Sequence, residues 1–266
     1  MLNEILQKEP IYVKKGIPFY GSEKEGDQFR DEDIKAWTTG GHFKRRWRDR
    51  GMTNDFRNAV YMDLCKKAAD LNLPIMDIAC GPNLGLLPDI YYFNKNIKAV
   101  AVDGCPTLVE KWREFFDEYA PETDVSFISC NVADMPIKDN AIDVMTSNIG
   151  FGSLRYAGAN NMKGINEAYR VLKPGGLVFT VENEFEDRAV VQRIFDLWGK
   201  ENWFKHDDLT WHERFEQAGL TIEQEEFLYT STSKGGEQNW ELAEKATQFG
   251  LEIVQNSHAY VLRKSS

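Results

Sequence analysis

No uninterrupted apolar run in the 266 residues reaches the length needed to span a bilayer, which argues against a membrane-embedded chain. The first 16 residues, MLNEILQKEPIYVKKG, carry two acids and no apolar segment followed by a cleavage site, so no secretory leader is expected and the protein is placed in the cytoplasm. Cysteine is scarce. Cys65, Cys80, Cys105 and Cys130 lie far apart with no C-x-x-C pair, which suggests neither a disulfide framework nor a zinc knuckle, and no metal is expected. Positive charge is also in deficit: 32 Lys and Arg against 42 Asp and Glu leave a net charge of −10, which disfavours broad affinity for nucleic acid or anionic lipid. Internal repeats, a G-x-x-x-x-G-K-[ST] loop, an H-E-x-x-H pair and a full G-x-G-x-x-G are all absent. What remains is an ordinary globular composition, 42% hydrophobic and 12% aromatic, of a length suited to one large domain with an appendage.

The first 50 or so residues are polar, broken by glycines, and dotted with large aromatics that include Trp37, Phe43 and Trp47. From Thr53, the residues Phe56, Val60, Leu64, Ala68 and Leu71 recur at helical spacing behind a Thr53 or Asn54 cap. Apolar runs over 75–80, 97–102, 125–130, 141–147 and 177–181 then alternate with helix-like stretches over 106–119 and 165–172, the latter closed by Lys173-Pro174-Gly175-Gly176. That cadence predicts a mostly parallel sheet covered on both faces. Further helices are expected near 189–198 and 240–249, and one opens on the capping-box pattern Thr210-Trp-His-Glu213 and stops at Gly219; two β-type stretches, 221–230 and 259–263, should finish the sheet.

Ligands of open parallel sheets bind beyond the carboxyl ends of the strands, so the polar residues ending each strand are the candidates. The first strand ends in Asp77-Ile-Ala79-Cys80-Gly81-Pro-Asn-Leu-Gly85, whose small residues admit a ligand to the backbone. The second ends in Asp103, about 20 residues on, the offset at which an acid can accept both hydroxyls of a ribose. Asn131 and the N–H of Val132 can read an adenine edge, and Ser147 and Asn148 can meet a cationic amine.

In that order, DIACGPNLG, AVDGCP, NVADMPIKDNAIDVMTSN and EAYRVLKPGGLVF resemble the successive motifs of class I S-adenosylmethionine-dependent methyltransferases of the small-molecule type. The resemblance implies a Rossmann-like, doubly wound α/β fold with a mostly parallel seven-stranded sheet over 73–266 and a helical N-terminal cap over 1–72. It implies S-adenosylmethionine as cofactor, S-adenosylhomocysteine as product and a small-molecule acceptor. By the same resemblance Asp77, Ala79, Cys80, Gly81 and Gly85 surround the methionine half, Asp103 with Gly104 and Cys105 the ribose, Asn131 and Val132 the adenine, and Ser147 or Asn148 the amine. Ala79 stands where the motif's first glycine is usual, and Asn83 where the third falls unless Gly85 takes that part.

Methyl transfer needs alignment more than a catalytic triad, and only some acceptors need a base. Candidate bases are His206, flanked by Asp207 and Asp208, and Glu182 at the end of the fifth strand; a solvated loop histidine is the plainer reading of His206. Residues 17–52 are expected either to form a lid walled by Trp37, Phe43 and Trp47 or simply to pack the appendage onto the core. The basic run Lys44 to Arg50 is either a solvated helix face or a contact for an anionic acceptor or RNA. Two alternatives to methylation stand: transfer of another group from the same cofactor, and a cofactor-binding regulatory protein without catalysis. An RNA acceptor is less favoured, and the oligomeric state is left open.

Overall fold

Short apolar runs bounded by glycine, proline and acids fold as the central strands of one nine-stranded sheet. The computed structural model describes residues 2–21, 31–39, 41–154, 161–202, 204, 209–234 and 241–265. In chain order the strands are β1 (Tyr12–Lys14), β2 (Ile17–Phe19), β3 (Ile75–Ile78), β4 (Ala99–Asp103), β5 (Val125–Ser129), β6 (Ile142–Asn148), β7 (Leu172–Phe185), β8 (Leu220–Thr232) and β9 (Val254–Lys264). Across the sheet they lie in the order β1-β2-β5-β4-β3-β6-β7-β9-β8. From β2 to β7 every pairing is parallel, and β9 and β8 close one side antiparallel. Strand order reverses between β3 and β6, so the crevice of an open α/β sheet opens at their carboxyl ends.

Helices cover both faces. Ile75, Ala99, Ala101 and Phe127 face one apolar cluster with α4 (Ala59–Asp70), α5 (Leu87–Phe93) and α6 (Pro106–Tyr119). Met76, Ile78, Val100, Val102 and Ile128 face the other, with α8 (Asn161–Val171) and α10 (Trp211–Gln217). Around α9 (Arg188–Trp198) and α11 (Glu241–Gln248), Ile194, Phe195, Leu242 and Ala246 form a smaller cluster. Pro106 opens α6, and Thr210 and Glu213 make the reciprocal capping box ahead of α10.

Three expectations are corrected. Among the described residues the sheet has nine strands against the seven expected, because residues 12–19 add a hairpin ahead of the central strands. Lys15 and Gly16 both have positive φ, the backbone a two-residue hairpin turn requires, and buried Ile17 and Phe19 carry β2 alongside β5 through the pair Phe19 and Ser129. The helix anticipated from Thr53 starts at Ala59: Asn58 caps it by accepting from the N–H of Val60 and Tyr61, whereas Asn54 folds back on Phe56 and Arg57 in an Asx turn. The helix ahead of residues 173–176 does end, at Val171, but the next strand starts at Leu172 rather than Leu177, so those four residues are an irregularity within β7, where the register with β6 shifts.

Ahead of α4 the chain holds α1 (Leu2–Ile5), α2 (Asp31–Thr39) and α3 (His42–Arg48). Phe43 of α3 stacks on Trp112 at 4.0 Å, and Trp47 packs edge-on against Phe116. No described helix is long and apolar enough to cross a membrane.

Candidate functional site

After β3 the backbone turns left-handed at Ala79, Gly81, Leu84 and Gly85, and the amide of Gly85 returns to the carbonyl of Cys80 at 2.8 Å. Gly85 has to be glycine: a Cβ there would lie 2.0 Å from Oδ1 of Asp77. Ala79 and Ile149, the latter just past β6, are non-glycine residues held at φ of +49° and +60°. Local strain is therefore concentrated at two positions in the wall of the same cavity.

That cavity has a volume of about 760 Å³. Of the residues singled out in the sequence, Ala79, Cys80, Gly81, Gly85, Asp103, Gly104, Cys105, Asn131, Val132 and Asn148 line it. Asp103 ends β4 with its carboxylate oriented by two amides, the N–H of Gly81 to Oδ2 and the N–H of Cys105 to Oδ1, both at 2.8 Å. Burial raises its pKa and those two amides oppose the rise. Asn131 turns Oδ1 to the N–H of Ala133, capping the short 3-10 turn Val132–Asp134. Burial pushes the thiols of Cys80 and Cys130 up, so they line the cavity as neutral, weakly polar groups.

Three candidates are not in the cavity wall. Ser147 is fully buried and its Oγ accepts from the N–H of Gly150 at 3.1 Å. Glu182 is fully buried, with Oε1 accepting from Phe151 N–H and Thr180 Oγ and Oε2 from Gly152 N–H. It thus anchors α7 (Gly150–Ser153), whose Ser153, with Leu154, reaches the cavity. Asp77 lies beneath the turn, accepting at Oδ2 from Thr146 Oγ at 2.6 Å and Leu86 N–H at 3.2 Å. His206 lies outside the described residues.

Burial pushes the Asp77 carboxyl up to about 7, against the hydrogen bonds from Thr146 and Leu86 and with help from the charge of Asp103. A carboxyl raised by folding stabilises the fold most when protonated, so its contribution is full below about pH 4 and is lost as pH rises through about 7. Asp77→Asn cannot ionise. Its melting temperature should therefore gain on that of the parent chain as pH rises through this window; parallel melting curves at every pH would show that Asp77 does not titrate there.

Of the proposed lid aromatics, Trp37 lines the cavity, whereas Phe43 and Trp47 belong to the packing on α6. Tyr20 and Gly21, Ile149, Ser153 and Leu154 complete walls that motif spacing did not reveal. Tyr20 and Gly21 directly follow β2, so their place depends on the unanticipated hairpin. The basic run is engaged with protein: Arg46, 9% exposed at its side chain, binds Asp89 at 2.6 Å, Lys44 and Arg50 lie over the rings of Tyr119 and Trp47, and Arg48 pairs with Asp49.

Residues 39–204, well over half of the chain, match the model of a known family. The chain belongs to the ubiE/COQ5 methyltransferase family. The family is one of S-adenosylmethionine-dependent methyltransferases, and S-adenosylmethionine is the cofactor that goes with it. The family assignment agrees with the walls just described, which combine a glycine turn, an oriented acid 22 residues beyond Gly81 and an asparagine-capped turn around one crevice. Carboxy-S-adenosyl-L-methionine synthases of Yersinia pestis (strain Pestoides F) and Yersinia pseudotuberculosis (serotype O:1b, strain IP 31758) are each 27% identical over 140 residues, 50% of this chain and 49% of theirs. The chain thus spans about half the length of the curated relatives it matches. Among solved structures, the [4+2]-cyclase SpnF superposes with a TM-score of 0.57 at 15% identity, covering 90% of this chain and 96% of that one. YcgJ of Bacillus subtilis gives 0.52 at 16% identity, with 77% and 98% covered. At such identities the ubiE/COQ5 chain shares a fold with these proteins and nothing finer.

Proposed function

We propose that the protein transfers the methyl group of S-adenosylmethionine to a small acceptor without net charge, held in the same cavity beside Trp37. The observation that carries this reading is the chemistry of the cavity wall. Among the described residues lining it, Asp103 is the one charged side chain, and Tyr20, Trp37, Ile149 and Leu154 supply apolar surface. A phosphorylated or polyanionic acceptor would meet no cation among the described residues of this wall, and within the basic run Arg46 is taken up by buried Asp89.

In this reading Asp103 would accept from the ribose hydroxyls, Asn131 and Val132 would border the adenine, and the Ala79 to Gly85 turn and Asn148 would hold the methionine end. Asp77 and Ser147 support that turn and strand from behind. When bound, S-adenosylmethionine would supply an activated methyl group to the acceptor and leave as S-adenosylhomocysteine. The chain's part is alignment and exclusion of water, for which Trp37 and Tyr20 cover the crevice. Glu182 acts at one remove by holding the Gly150–Ser153 turn; for an acceptor that must lose a proton, the remaining candidate base from the sequence is His206, which lies outside the described residues.

A second reading, chemistry on the same cofactor other than methyl transfer, is favoured by the name carried by the 27% identical relatives, which describes making a carboxylated S-adenosylmethionine. Incubation of the protein with S-adenosylmethionine and a fractionated metabolite extract separates the two by mass spectrometry. Release of S-adenosylhomocysteine with an acceptor heavier by one CH2 is expected. Any other transferred mass, or a cofactor that has itself gained mass, supports the second reading, and tight cofactor binding without turnover supports a regulatory protein instead.

A further inference from the structure

Asn83 stands where, by the resemblance, the motif's third glycine falls unless Gly85 takes that part, and the N-terminal segment makes use of its side chain. The ring of His42, the first residue of α3, lies with Nε2 3.0 Å from Oδ1 of Asn83. Burial, assisted by Arg45 and Arg46, lowers the pKa of His42, so at neutral pH its ring is uncharged and donates the Nε2 proton to that oxygen. Four residues on, Arg46 donates Nε to the carbonyl of Asn83 at 3.2 Å while its terminal nitrogen holds buried Asp89.

A second link runs through α6. Phe43 stacks on Trp112, and Trp112 donates its indole N–H to the carbonyl of Gly81 at 3.0 Å. The same turn is therefore gripped at Gly81 and at Asn83, both of which line the cavity. The neighbouring helix α2, which packs on α3 and α6, brings Trp37 to that cavity.

We propose that His42 is a positioning residue for the methyl-transfer site: its hydrogen bond to Asn83 couples the 81–85 turn to the α2 and α3 pair that carries Trp37. The proposal rests on the reading that this turn holds the methionine end of the cofactor. Setting the turn for the cofactor and seating the Trp37 wall then become one event. Asn83 is the handle that makes this coupling available.

Calorimetric titration with S-adenosylhomocysteine tests it through a double-mutant cycle. His42→Ala and Asn83→Ala should each weaken binding about fivefold, the worth of one hydrogen bond. The double variant should be no weaker than either single one, and His42→Gln, which keeps a donor at similar reach, should recover most of the loss. Thermal melts run in parallel separate this from a purely structural role, which would lower the melting temperature and leave affinity unchanged. Unchanged affinity in His42→Ala, or losses that add in the double variant, would overturn the coupling while leaving the cofactor assignment intact. Failure of the unaltered protein to bind S-adenosylhomocysteine would overturn the cofactor site itself, and the coupling with it.

Discussion

Asp103→Ala should bind S-adenosylhomocysteine at least about a hundredfold more weakly than the unaltered chain, because two charge-assisted hydrogen bonds of about 1.5 kcal/mol or more each are lost. The carboxylate is already aimed by the amides of Gly81 and Cys105, so little is spent on ordering it when a ribose arrives. Removing it also deprives those two amides of their acceptor, and the Gly81 side of the turn loses a tether. Asp103→Asn, which keeps one acceptor oxygen but not the charge, should fall between the two. Calorimetry decides the matter, and an affinity within twofold of the parent would remove Asp103 from the ribose site.

Arg46→Ala should be the most damaging substitution in the basic run, costing on the order of 3 kcal/mol of stability, the lower end of what breaking a buried ion pair costs. Asp89 has no exposed surface and takes Arg46 at 2.6 Å, the amide of Gly51 at 2.8 Å, the hydroxyl of Tyr61 at 3.1 Å and Arg57 at 3.5 Å. Loss of Arg46 strands much of that buried charge, and the remaining three donors keep the cost from reaching the top of the range. Lys44→Ala, which removes an exposed charge two residues away, should cost at most ~1 kcal/mol. Equal denaturation midpoints for the two variants would show that the Arg46 and Asp89 pair does not hold α3 in place.

The central strands and the glycine turn after β3 were legible because each apolar run ends abruptly in a glycine, an acid or an amide, and Asp103 follows the turn at a fixed offset. The capping box at Thr210 and Glu213 and the proline opening α6 were equally local signals. What escaped depended on distance. Strands of three residues such as Tyr12–Lys14 and Ile17–Phe19 carry no periodicity, and only their pairing with each other and with β5 defines them. Asn54 and Asn58 are both competent caps, and the backbone resolves the choice by folding the first into a turn. Arg46 reads as solvent-facing within Lys44 to Arg50 because its partner lies 43 residues further along, in α5. Of Trp37, Phe43 and Trp47, identical in character by sequence, the last two pack on α6 and only the first reaches the cavity. His42 offers no spacing signal, since its partner is a single asparagine.

The hairpin at residues 12–19 bears on the order in which the molecule is assembled during synthesis. It leaves the ribosome before any of the parallel strands, yet the strand it must join, β5, is translated about 110 residues later. Until then β2 has only its three-residue partner, too little to persist alone in water. The wall that Tyr20 gives to the cavity is consequently absent until β5 has been made, although Tyr20 itself is translated more than a hundred residues earlier.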